Sequence, residues 1–188
     1  VIHSIAFANR EDLSRPFTET SREGFALALD VSAYSLVAVS SAMAPLMTAG
    51  GSILTLSYLG AVRVVQNYNV MGVAKAALEA SVRYMATDLG EAGIRVNAIA
   101  PGLILAGMSD PIYADPVVRE ARESRVPLGR LGTAEDIANT VVFLSSDQSS
   151  YMTGQNLLID GGVTMSVISS LPRPASVDSV GIKDSQKK

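Results

Sequence analysis

An α/β domain built on a parallel sheet is what this sequence predicts, on three observations. Short β-branched runs alternate with helical stripes in the order strand, helix, strand, helix, strand, helices, strand. The candidate strands are almost continuously apolar, as parallel strands covered on both faces are. Charged residues make up 18% of the chain, against about a quarter in an average domain, so much surface is to be buried in a core, an oligomer interface, or both.

Residues 1–7 (VIHSIAF) read as the first strand, and the polar residues 8–20 with Pro16 as a loop. A helix start at Thr20 or Ser21 opens the apolar stripe Phe25, Ala26, Leu29, Ala33, Leu36, Val37 and Met43, a long and largely buried helix running to about Pro45. Gly50-Gly51 introduces a second strand at 52–57. Asn67 or Tyr68 begins a helix on which Ala74, Leu78, Val82 and Met85 recur, stopped by Gly90 or Gly93. The third strand, 94–100, is broken by Pro101-Gly102. Residues 103–115 show no periodicity and read as a mobile crossing loop. A helix at about 116–125 follows, then a capping-box start at Thr133 with Asp136 three residues on for a helix to about Ser146. The fourth strand is 155–160, closed by Gly161-Gly162. One domain is expected over 1–168, with 169–188 a polar, disordered tail.

The composition also bounds the chemistry. With no Cys and the single histidine His3, there is no thiolate site, disulfide framework or His-based metal cluster, and His3 reads as a packed strand residue. A net charge of −3 with scattered basic residues leaves no footprint for nucleic acid. Residues 31–62 carry no charge, but Pro45 and Gly50-Gly51 break them into a helix, a turn and a strand, so no membrane span is expected. The chain opens Val1-Ile2-His3-Ser4, without Met or a basic signal region, as the carboxyl-terminal portion of a longer protein would.

In parallel sheets ligands bind beyond the carboxyl ends of the strands. There Tyr58 follows the second strand, and Tyr68 and Lys75 lie seven residues apart on the next helix, so both leave one face about 10 Å apart along the axis. That spacing favours two side chains bracketing one ligand over a direct Tyr–Lys bond. A phenol is a poor acid at neutral pH unless a cation favours its anion, and Lys75 is placed to supply that charge. Six tyrosines in 188 residues also put one near a lysine by chance.

The stretch Ser57-Tyr58-Leu59-Gly60, followed by Asn67-Tyr68-Asn69-Val70-Met71-Gly72-Val73-Ala74-Lys75-Ala76, resembles the active-site segment of the enoyl-acyl-carrier-protein reductases. These are a divergent branch of the short-chain dehydrogenase/reductase family in which six residues, not three, separate Tyr and Lys. Residues 1–8, Arg22-Glu23-Gly24-Phe25 and Arg95-Val96-Asn97-Ala98-Ile99 extend the likeness to about Met165. The resemblance implies a Rossmann-like doubly wound sheet entered at the family's fourth strand. It implies hydride transfer from NADH, or NADPH, to the β-carbon of a trans-2-enoyl thioester on acyl carrier protein. By the same resemblance Tyr68 steadies the enolate oxyanion, Lys75 holds the nicotinamide ribose, and Tyr58 lines the acyl pocket or assists protonation. Ile5 meets the cofactor; Ala8 and Met71 meet the substrate; Ile104, Leu105, Ala106, Gly107 and Met108 cover the nicotinamide and pyrophosphate. A homotetramer in the cytoplasm, or in an organellar stroma if the source is eukaryotic, is implied as well.

The sequence departs from that pattern in three stretches. Gly102 is followed by Leu103, Ile104, Leu105 and Ala106, where the family carries a cofactor-binding threonine at the last position. Pro127-Leu128-Gly129-Arg130 and Tyr151-Met152-Thr153-Gly154-Gln155 look more like ordinary short-chain reductases. No glycine-rich phosphate turn precedes Val1. The first strand is therefore expected at an open apolar edge, and the chain by itself to bind NADH weakly and to associate. Two further readings stand: a carbonyl or alcohol oxidoreductase, and a non-catalytic chain acting through its subunit interface.

Overall fold

The structure, a computed structural model, describes residues 1–107 and 109–166. Its strands are β1 (Ile2–His3), β2 (Gly51–Leu56), β3 (Ile94–Pro101), β4 (Ile104–Leu105), β5 (Gly132–Thr133) and β6 (Asn156–Ile159). Its α-helices are α1 (Arg10–Ser14), α2 (Arg22–Leu29), α3 (Ser35–Met43), α4 (Asn69–Asp88), α5 (Asp110–Tyr113), α6 (Pro116–Glu123) and α7 (Ala134–Ser145). One parallel sheet runs β1-β2-β3-β6, and β4 pairs only with β5. β2 and β3 are in register from Gly51 opposite Ile94 to Leu56 opposite Ile99.

Alternation along the two central strands divides the core. Ile53, Ile94, Val96 and Ala98 pack against Leu36 of α3 and Leu78, Val82 and Met85 of α4. On the other face Leu54 and Ile99 meet Leu144, with Ile137 and Val141 beside them, on α7. Helices thus cover both faces, the doubly wound arrangement expected. The Thr133–Asp136 capping box starts α7, with hydroxyl and carboxylate each accepting the other residue's backbone N–H. β1 stands at the sheet edge, as expected, with Ile2 exposed.

Four local expectations are corrected. Only Ile2 and His3 of residues 1–7 pair as strand, because the chain then turns to the helices: Ser32 Oγ accepts from Phe7 N (2.9 Å) and donates to Phe7 O (3.0 Å). The loop at 8–20 contains α1 and a 3-10 turn, Phe17–Glu19. The crossing segment at 103–115 contains β4 and α5, elements too short to carry a period. The long helix is interrupted by a π-turn at Asp30–Tyr34 and ends in a 3-10 turn, Ala44–Leu46, at Pro45. That run is long and apolar enough to cross a membrane by length and composition alone. It buries one face, Ala28, Ser32, Ala33, Leu36 and Ser40, on the domain and leaves Tyr34 and Leu46 exposed, so it is less buried than its apolar stripe predicts. The expected tail, 169–188, lies outside the described residues.

Candidate functional site

β2 ends at Leu56, and the chain runs through buried Ser57 to Tyr58 beyond the carboxyl end of the sheet. Tyr68 is the capping residue of α4. The two rings meet at 4.8 Å between centroids, tilted by 60°, a favoured aromatic geometry. Gly60 makes the contact possible: a Cβ there runs into Tyr68 Cδ1, and one on Gly72 stands 2.8 Å from Gly60 O. Tyr68 is flanked by Asn67 (φ 59°) and Asn69 (φ 32°). Left-handed backbone is uncommon for residues other than glycine and collects at sites the surrounding structure holds under strain. Asn69 Nδ2 donates to Arg15 O at 2.6 Å, holding the head of α4 against the end of α1.

Two turns below Tyr68, Lys75 is buried and donates to Leu56 O at 2.6 Å. Its ammonium thus sits under the strand end that leads to Tyr58. Burial pushes its pKa down to about 8, against the opposing pull of Glu79. The tyrosines shift the other way. Burial, then the neighbouring Tyr58, holds the Tyr68 hydroxyl well above the usual phenol range. Burial also raises Tyr58, as does Tyr113, while Arg122 pulls it down. The expectation that Lys75 would stabilise a Tyr68 anion is therefore corrected: desolvation wins, and Tyr68 stays a neutral hydrogen-bond donor.

The remaining expected residues fall into separate groups. Ala8, Met71 and Tyr68 share one apolar cluster with Ala28, Val70 and Ala74, and Tyr68 also borders a cavity of about 560 Å³ walled by Phe17, Val62, Val65 and Gly72. Ile5 is half exposed, between β1 and the Phe7–Ser32 tie. Ile104 and Leu105 follow β3 in the short β4 pair, and Ser109 Oγ donates to Ile104 O and accepts from Ala106 N. Ile104 lines a different cavity of about 90 Å³ with Leu128 and Asp160. Gly107 faces open space; Met108 lies outside the described residues. His3 is the packed residue expected, with Nδ1 at 2.9 Å from Thr55 Oγ1 and Nε2 at 2.9 Å from Ser35 Oγ.

Sequence reasoning did not single out Gly60 and Gly72, whose missing side chains seat Tyr68, or Tyr113 and Arg122, which act on Tyr58. Tyr113 is buried under the Arg122 guanidinium, 5.5 Å from its ring centroid, in a segment without periodicity. The glycines carried a signal, standing inside an apolar helix and a strand-end turn.

Residues 1–164 match the family model described as enoyl-(acyl carrier protein) reductase. The chain belongs to that family. It is 55% identical over 162 residues to the NADH-dependent enoyl-[acyl-carrier-protein] reductase FabI of Nostoc sp. strain PCC 7120, covering 86% of this chain and 63% of the relative. The Bacillus cereus reductase, crystallised with NADP+ and indole naphthyridinone, superposes with a TM-score of 0.81 at 51% identity, covering 87% of this chain and 64% of that one. The Anaplasma phagocytophilum reductase in complex with NAD gives a TM-score of 0.82 at 41% identity, covering 92% and 64%. The chain therefore spans less than two thirds of the length of these family members.

For a nicotinamide cofactor of that family the fit is divided. An ammonium has three donors, and Lys75 has spent one on Leu56 O, leaving donors for a ribose. Among the described residues no glycine-rich turn cradles a pyrophosphate.

Proposed function

We propose that this chain carries the oxyanion-stabilising part of a nicotinamide-dependent enoyl reductase acting on trans-2-enoyl thioesters of acyl carrier protein, in the cytoplasm and as a homotetramer. NADH is the proposed cofactor and NADPH the alternative, supported by relatives of both kinds. A bound nicotinamide supplies the hydride. Lys75 would hold the ribose, Ile5 would meet the cofactor, and Ile104, Leu105, Ala106, Gly107 and Met108 would cover the nicotinamide and pyrophosphate. Ala8, Met71 and Tyr58 line the acyl group.

As the double bond is reduced, negative charge gathers on the thioester oxygen. Tyr68, kept protonated by its buried setting, donates a hydrogen bond to that oxygen, and the stabilisation grows as the charge does. Tyr58 packs on the Tyr68 ring and orients it, and stands ready to assist protonation of the product. The low-dielectric surroundings that make these phenols poor acids also make the donated bond stronger.

One observation carries this reading: Tyr58 and Tyr68 in ring contact at the head of α4, with Lys75 on the same helix bonded to the strand end that delivers Tyr58. The test is NADH oxidation by a chimera joining this chain to the amino-terminal residues of the Nostoc reductase. Crotonyl thioesters are expected to be reduced and simple ketones not. Ketone reduction alone would replace the reading with a carbonyl or alcohol oxidoreductase.

The exposed Ile2, Ile5 and Phe7 on and beside β1 favour a second reading, a non-catalytic chain that acts by associating with other subunits. Sedimentation with and without a full-length relative tests it; a lone soluble monomer in both runs rules it out.

A further inference from the structure

Helix α4 carries a buried acid that the reaction proposed above does not use. Glu79 lies one turn beyond Lys75 on the same face and is 7% exposed. A carboxylate is costly to bury unless its oxygens are satisfied. Here Glu79 Oε1 accepts from the Ser57 hydroxyl and, at 2.7 Å, from Asn156 Nδ2 at the start of β6. Ser57 is itself 5% exposed and its N–H donates to Ile99 O at 2.7 Å. The same helix face therefore grips two consecutive residues at the end of β2: Lys75 holds the carbonyl of Leu56 and Glu79 holds the side chain of Ser57. The next residue is Tyr58.

We propose that Glu79 is a positioning residue for the Tyr58–Tyr68–Lys75 site, locking the end of β2 and the start of β6 onto α4 so that Tyr58 meets Tyr68 and the Lys75 ammonium keeps its charge. Two such ties remove the freedom of the strand end to slide or rotate along the helix, and buried hydrogen-bonded groups of this kind rigidify what they join. A carboxylate one turn away also offsets the burial of the ammonium. The titratable groups acting on Lys75 are Glu79 from its own helix and His3 from β1; β2 offers it a carbonyl, and Asn156 of β6 is neutral.

The proposal rests on the reading of Lys75 and the tyrosines as one site, but its test needs neither cofactor nor turnover. The Lys75 midpoint is followed by NMR on the 188-residue chain labelled with 13C at the lysine ε-carbons, in parallel with thermal melts. Glu79→Gln keeps the shape and removes the charge. It is expected to lower the Lys75 midpoint by about one pH unit, tenfold in the ionisation constant, while the chain still melts cooperatively. A midpoint unmoved in a folded Glu79→Gln chain overturns the proposal. If that variant does not fold, Ser57→Ala decides, read by 19F resonances of fluorotyrosine. Tyr58 and Tyr68 are expected to shift while the exposed Tyr84 and Tyr151 do not; unmoved Tyr58 and Tyr68 resonances overturn it. An inactive chimera with a shifted Lys75 midpoint would sink the reductase reading and leave the positioning role standing.

Discussion

At the scale of single residues the site is governed by desolvation, and its sign differs between acid and base. Burial disfavours every charged form, so the phenols of Tyr58 and Tyr68 are raised and the ammonium of Lys75 is lowered. For Lys75 the folded value of about 8 lies below the unfolded value of about 10.4. Below the lower value both states carry the proton and the buried charge weighs fully against folding. Between the two, the unfolded chain binds more protons, so the contribution of Lys75 to stability rises with pH across that window and levels off above it. Urea melts over the window are expected to show the rise, and Lys75→Met to remove it; a parent chain with a flat profile there contradicts the assignment. The same titration predicts that activity in the chimera falls on an alkaline limb near the Lys75 midpoint, as the ammonium loses its charge. Tyr68 and Lys75 were legible in the sequence from two helical turns of spacing and from the residues around them. Their electrostatics were not: the spacing favours two side chains bracketing one ligand and leaves Lys75 open to favour a tyrosine anion, whereas the folded chain directs the ammonium to Leu56 O.

Between the elements, the contact that matters is the one between the turn after β2 and the first turns of α4, and it depends on two missing side chains. Gly60→Ala brings a methyl against the Tyr68 ring, so the ring moves; the expected result is a larger loss in kcat than in melting temperature. Gly72→Ala gains about 1 kcal/mol of helix propensity but meets the backbone carbonyl of Gly60, which has less room to give. A net loss of about 1–3 kcal/mol follows from such overpacking. Gly90→Ala, with open space around it, is the control and is expected to be neutral or better. Thermal melts of the three variants separate these outcomes, and equal behaviour of Gly72→Ala and Gly90→Ala contradicts the packing argument. β2, β3 and β6 were readable to within a residue because their apolar runs end at Gly or Pro. The Thr133–Asp136 box marked α7 because a reciprocal cap has its own residue pattern. By contrast β4 and β5 are two residues each, and the π-turn at Asp30–Tyr34 leaves the apolar stripe intact; neither alters periodicity enough to be seen. Glu79 was readable in principle as a charge interrupting the buried stripe of Leu78 and Val82.

As a whole molecule, the chain presents a parallel sheet with one edge strand of two residues and exposed apolar side chains beyond it. Unpaired edges of this kind invite pairing with another chain, and among the described residues no glycine-rich turn is present to hold the phosphates of a dinucleotide. The 188-residue chain is therefore expected to self-associate in sedimentation and to bind NADH far more weakly than the chimera does in calorimetry; a micromolar dissociation constant for the chain itself contradicts this. The fold class was legible because a parallel sheet follows from the alternation of strands and helices. The electrostatic effect of Tyr113 and Arg122 on Tyr58 was not, since it comes from chain segments far apart in sequence. Whether Tyr68 is the donor that meets the developing oxyanion is tested most directly by steady-state kinetics of Tyr68→Phe in the chimera on a crotonyl thioester. The predicted result is a kcat about 10²–10³ lower, the cost of one lost oxyanion donor, with KM and melting temperature little changed. A kcat equal to that of the parent would contradict it.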